Sequence, residues 1–150
     1  MPVRPATQDD LDSLLMLGRA MRNESVTAFP EIEDARVALQ LRLVGEHPDM
    51  FMAALAETNG TVTGMVTAMA GDWAFSSQKR ALCDMLFVLP QWRNGTTGLR
   101  LLRAFIDWKR RIGALVAFAG ISTGVHPAST GRLFAHEGFV PAGTLWRMED

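Results

Sequence analysis

Residues 81–89, Ala-Leu-Cys-Asp-Met-Leu-Phe-Val-Leu, form an apolar run broken only by Asp84 and stopped by Pro90. A run of that length ending at a proline predicts a strand buried on both faces, which requires a sheet covered on either side. Beyond it, the loop at 91–98 (Gln-Trp-Arg-Asn-Gly-Thr-Thr-Gly) leads into Leu101, Leu102, Phe105, Trp108 and Ile112. That is helix spacing with a wide buried face. Residues 115–121 are a second buried run, so strand, helix and strand follow in order and imply parallel pairing.

The first half reads differently. Residues 2–5 are short and extended. Thr7-Gln-Asp-Asp10 is a capping box with Asp in place of Glu, and Leu11, Leu14, Leu15, Gly18 and Met21 continue at helical spacing. Residues 23–30 end that helix, and 34–44 predict another that buries Val37, Leu41 and Val44. Strands at 50–56 and 62–70 flank Asn59-Gly60, a tight-turn signature that implies antiparallel pairing. A polar loop is expected at 71–80. A helix is expected at 127–137, with Pro127 in its first turn and Gly138 past its end, and a last strand at 145–148. The expected class is α/β (α+β), one domain over 1–150, with a mixed, mostly antiparallel central sheet and helices on both faces.

At 48% hydrophobic and 21% charged residues, the chain has the composition of a globular protein. A formal net charge of -1 gives no whole-surface attraction to nucleic acid or to an anionic membrane. The single Cys83 cannot form an internal disulfide, and no stretch resembles a leader or spans a bilayer, so a cytoplasmic location is expected. His47, His126 and His136 are dispersed, and no metal site is expected. Lys109-Arg-Arg111 reads as a solvated helix end, and Trp73, Trp92, Trp108 and Trp146 as core or rim residues.

A strand, a glycine-containing loop and a helix start make an arrangement suited to phosphate. The helix N-terminus offers N–H groups and partial positive charge, and glycine lets an anion approach the backbone. Arg93 and the hydroxyls of Thr96 and Thr97 add donors. The plainer alternative is a turn at Asn94-Gly95 and a helix start at Gly98. The pattern is neither a phosphate loop ending in Gly-Lys-Ser/Thr nor a GxGxxG fingerprint.

The segment from Asp84 to Gly98 resembles the acetyl-CoA-binding segment of the GNAT N-acetyltransferase superfamily, in which an apolar strand runs through Val-x-Pro into an Arg-Gly-x-Gly-x-Gly/Ala loop and a helix. Val3-Arg-Pro-Ala-Thr7 is similar to the family's opening, and Glu57-Thr-Asn-Gly-Thr-Val-Thr-Gly64 to its hairpin. Leu133-Phe-Ala-His-Glu-Gly-Phe139 is similar to its Leu-Tyr-x-x-x-Gly-Phe. The resemblance implies that the backbone from Arg93 through Asn94, Gly95, Thr96 and Thr97 to Gly98 holds the CoA pyrophosphate. It implies that Leu86, Phe87 and Val88 bond the pantetheine arm through their main chain, where two parallel strands splay apart. It further implies acetyl-CoA as acyl donor, a small-molecule or peptide amine as acceptor, direct attack in a ternary complex, and a homodimer. Asn94 and Thr96 stand where the family has glycine, which a side chain tolerates if φ is negative.

Acyl transfer to an amine needs a route for the amine proton and a proton for the leaving thiolate. Asp84 is the candidate base, since burial raises a carboxyl pKa and strand alternation puts it on the face of Leu86 and Val88. The structural alternative is an aspartate paired with an arginine or solvated. Phe134 occupies the position of the family's proton-donating tyrosine, and the chain has no tyrosine. That leaves Ser129, Thr130, His126, an ordered water or no specific group to handle the thiolate. Ser129 is the candidate taken forward, with Phe134 lining the donor site. A Cys83 nucleophile has no histidine near it in sequence.

The resemblance puts residues 23–34 beside the acceptor cleft, with Glu24 and Phe29 as contact residues. Glu24, Glu31, Glu33 and Asp34 face no positive charge within that segment. An acidic rim there favours a cationic amine, unless these acids serve only solubility. A second reading, a CoA-binding or interaction module that has lost catalysis, is favoured by Phe134, Asn94 and Thr96.

Overall fold

The computed structural model describes residues 3–121 and 124–150; Pro2, expected to be extended, lies outside them. Five strands form one sheet in the order β1-β2-β3-β4-β5: β1 Val3–Pro5, β2 Phe51–Thr58, β3 Thr61–Trp73, β4 Ser76–Val88 and β5 Val116–Ala119. All neighbours are antiparallel except β4 and β5. The helices are α1 Leu11–Glu24, α2 Asp34–Glu46, α3 Thr97–Arg111 and α4 Pro127–His136. The expected mixed sheet with helices on both faces is present.

The two faces are packed by different means. Toward α3 the sheet presents mostly alanine, at Ala54, Ala56, Ala68 and Ala81, and the helix supplies the bulk through Leu101, Leu102, Phe105 and Trp108. Small residues on one side and large ones on the other let helix and sheet close without voids. Gly64 on β3 carries this furthest: a Cβ there would lie 2.7 Å from the Phe87 carbonyl oxygen and 3.0 Å from Leu101. On the opposite face Leu55, Met65 and Phe87 meet Leu14, Leu17 and Met21 of α1 and Leu41 of α2.

The capping box forms as the residues predicted. Asp10 accepts from the Thr7 backbone at 2.8 Å, and Arg4 grips its two oxygens at 2.8 Å each while also bonding Glu57. The arginine lowers the Asp10 carboxyl from an ordinary 3.8 to about 2. Its native pKa is the depressed one, so its contribution is complete above pH 4 and disappears as pH falls toward 2. Acid titration should therefore remove about 2 kcal/mol of stability across that window. In Asp10→Asn the same fall, followed by circular dichroism, should be absent.

Two expectations need correction. Residues 71–80 are not a loop. β3 and β4 continue through them, with Asp72 opposite Lys79 and only Ala74 and Phe75 turning. This extension reaches beyond the core, so its strands carry no apolar signal. Opposite charges across the ladder and the Arg80 guanidinium 4.9 Å above Trp73 support it instead. The second correction is at 145–148, which forms no strand: Leu145, Trp146 and Met148 are 88–90% exposed. A strand exists only by pairing, and here Arg147 instead donates to the Ala28 carbonyl at 2.6 Å.

Candidate active site

β4 and β5 pair from Arg80↔Val116 to Cys83↔Ala119 and then part. Beyond Cys83, β4 runs on to Val88 with β3 on one side and, among the described residues, no strand on the other. The gap opens a cleft of about 640 Å³ bounded by the C-terminal end of α1, the start of α3 and the start of α4. It reaches both sheet faces. Leu86, Val88, Gly98, Leu133 and Phe134 line it on the α3 side, and Met21, Met85 and Phe87 on the α1 side.

A β-bulge sits where the strands part. Thr67 pairs with Met85 and Ala68 with Cys83, which leaves Asp84 without a partner on β3. The extra residue breaks alternation, so Ala81 and Cys83 share a face with Leu86 and Val88. The placement of Asp84 by simple alternation is therefore superseded. Bulges re-aim side chains in this way. Asp84 lines the cleft, is exposed to it, and has no hydrogen-bond or ion-pair partner among the described residues. The protein around it still removes enough water to push its carboxyl pKa up. Cys83 next to it is partly buried, and desolvation, then the Asp84 charge, push its thiol up to about 12. A thiol so raised is no nucleophile near neutral pH.

The loop after β4 begins with a 3-10 turn, Pro90–Trp92, and enters α3 through Thr96 as N-cap, at φ -99°. Neither Asn94, Gly95 nor Gly98 has positive φ, so the loop needs no left-handed residue. The Thr96 hydroxyl does not cap the helix, and its first turn holds no acid. A helix start without a carboxylate remains electropositive. A Cβ at Gly95 would meet nothing within 4 Å, so the loop backbone stands open.

A family model described as acetyltransferase (GNAT) family matches residues 18–136. The chain belongs to the GNAT family. No curated protein sequence matches it. Solved structures with the same fold include a ribosomal-protein-alanine N-acetyltransferase of Brucella melitensis, at 23% identity and TM-score 0.79, covering 95% of this chain and 86% of that one. AAC(6')-Iy, in complex with the bisubstrate analogue CoA-S-monomethyl-acetylneamine, is 16% identical with TM-score 0.77, covering 99% and 97%. An aminoglycoside acetyltransferase from an uncultured soil metagenomic sample, in complex with sisomicin, is 14% identical with TM-score 0.73, covering 99% and 96%.

The cleft of this GNAT chain brings together the candidate donor-site, catalytic and acceptor-contact residues except Thr96 and Thr97, and the rim acids Glu31, Glu33 and Asp34 lie outside its lining. Thr97 is buried under the loop, and Thr96 is exposed outside the lining. Ser129, on the first turn of α4, is exposed and donates a long 3.4 Å bond to the His126 carbonyl. The Phe134 ring stacks at 5.6 Å on Phe139.

Arg93 and Glu24 require a change of role. The Arg93 guanidinium donates to both Glu24 oxygens, at 2.5 and 2.6 Å, and through Nε to the Val88 carbonyl at 2.8 Å. These bonds turn its charge toward protein rather than out of the loop, and Arg93 first of all holds the Glu24 carboxyl below its usual range. The acidic rim is correspondingly weakened, since Glu24 is paired and Asp34 is bridged by Arg19 at 2.8 Å. Partners that lie far apart in sequence leave no local mark. The reading also missed Met21, Met85, Ile121 and Val125, which line the cleft. Their apolar side chains are indistinguishable in sequence from core.

Proposed function

We propose that this chain is a cytoplasmic enzyme that transfers an acetyl group from acetyl-CoA to a primary amine by direct attack in a ternary complex. One observation carries the reading: the gap between β4 and β5 opens between an acid-free helix start and an unpartnered carboxylate of raised pKa. The CoA-containing analogue held by AAC(6')-Iy supports the donor, and bound sisomicin in the metagenomic enzyme supports an amine acceptor.

Acetyl-CoA supplies the activated thioester. The first-turn amides of α3 and the loop backbone from Arg93 to Gly98 suit its pyrophosphate. The main chain of Leu86, Phe87 and Val88, beyond the last β4–β5 pair, suits the pantetheine amides as a short ladder in which Arg93 already occupies the Val88 carbonyl. The amine nitrogen forms the new N–C bond as the C–S bond breaks. One amine proton passes to Asp84, directly or through water, and on to solvent. The sulfur leaves as thiolate and takes a proton from water, directly or relayed through the Ser129 hydroxyl, which regains its own from solvent. Ser129 can turn to it cheaply, because its present bond is weak.

Isothermal titration with acetyl-CoA tests the donor site. The native protein should bind in the micromolar range, and Gly98→Trp should lose binding by 100-fold or about 3 kcal/mol. A Cβ at Gly98 meets Leu133 at 3.5 Å and Val88 at 3.9 Å, so an indole would fill the cleft. Undiminished binding by a folded Gly98→Trp would rule out this site. The binding-module alternative draws on Phe134, which has no proton to give. Thioester consumption that depends on added amine would exclude it.

A further inference from the structure

The acceptor side of the cleft is short of negative charge and bordered by a fastened loop, and both properties bear on what it admits. This rests on the acetyltransferase reading above. Two carboxylates line the cleft, Asp84 and Glu24. Arg93 occupies both oxygens of Glu24, which leaves Asp84 alone to answer a cation. The surrounding wall on the α1 side is Met21, Phe29, Met85 and Phe87. Each further ammonium group brought against such a wall would lose its hydration without gaining a partner.

The loop at 25–30 borders the cleft through Phe29. Its Val26 packs on Gly124, where φ is +70° and no Cβ fits beside the valine. The loop thus crosses from the end of α1 to the segment that leads into α4. It is fastened at several points. Arg22 Nε donates to the carbonyls of Phe29 and Pro30 at 3.1 Å each, and Arg147 donates to that of Ala28. At its start, the Glu24–Arg93 pair joins it to the β4 carbonyl of Val88. A loop tethered at these points holds its wall of the cleft in place, which suits a compact acceptor better than an extended chain.

We propose that the acceptor is a small monoamine, one basic nitrogen on an apolar body, rather than a polycation or a peptide N-terminus. Asp84 would face the nitrogen, and Phe29 and Met85 would cover the body.

The experiment compares kcat/KM for phenethylamine, neamine and tetra-alanine amide by thiol release from acetyl-CoA, with acetyl-CoA binding measured separately by titration. Phenethylamine should exceed both others by roughly tenfold or more, the scale of one well-matched apolar contact. Phe29→Ala should raise the phenethylamine KM by roughly tenfold and leave the acetyl-CoA KM unchanged, while Phe29→Leu should recover most of the loss. A preference for neamine or the peptide overturns the inference and leaves the donor site standing. So does the absence of any turnover in protein that binds acetyl-CoA. Failure to bind acetyl-CoA overturns the acetyltransferase reading as well.

Discussion

Trp108→Ala should cost the fold about 3–5 kcal/mol, measured as a lower midpoint in urea at unchanged slope. Trp108 is among the largest fully enclosed side chains, and its ring lies 6.4 Å from that of Phe105. Across from it the sheet offers alanines, which have no atoms with which to close a cavity. The indole Nε1 also donates to the Pro48 carbonyl at 2.8 Å, tying α3 to the turn that follows α2. Trp108→Phe separates the two contributions, because it keeps most of the volume and loses the bond, at about 1–2 kcal/mol. A cost for the alanine variant no greater than for phenylalanine would mean that the hydrogen bond, and not the packing against alanine, holds the helix.

Asp84→Asn should lower kcat/KM at neutral pH by about 100-fold or more, the usual share of a positioned base. It should do so without loss of stability, and the sign follows from the pKa. Desolvation raises the native carboxyl above its unfolded value, so the native state prefers the protonated form and is penalised once Asp84 ionises. Asparagine removes that penalty, and the thermal midpoint should hold or rise. In the native enzyme, kcat/KM should climb with pH through a value above the ordinary carboxylate range, and the variant should lack that limb. A structural aspartate would give the opposite pair of results, a lower midpoint with activity retained.

Much of this fold was legible because its elements carry local marks. Asn59-Gly60 marked the β2–β3 turn, where Asn59 and Gly60 both have positive φ. Pro90 marked the end of β4, and Pro127 and Gly138 bracketed α4. What was illegible depended on partners. The outer halves of β3 and β4 exist through each other and through Trp73 and Arg80, not through an apolar face. Leu145, Trp146 and Met148 have the composition of a strand and find no ladder. At the site, the residue types were readable from 84 to 98 because strand, loop and helix follow one another there. The pairing of Arg93 with Glu24 spans 69 residues of sequence, and no spacing rule reaches that far.

The bulge at Asp84 separates what the sheet needs from what the chemistry needs. Cys83 pairs with Ala68 and Met85 with Thr67, so the ladder on either side is already in step. Remove the residue between them and β4 becomes an ordinary strand with every core side chain still facing its present neighbour. Asp84 is in this sense a surplus codon. The core of alanine and leucine contacts could have been assembled without it, and a single in-frame gain at that point suffices to hang an acid at the edge of a finished sheet. Loss of that one residue would remove the acid from this chain and leave the rest of the ladder in register.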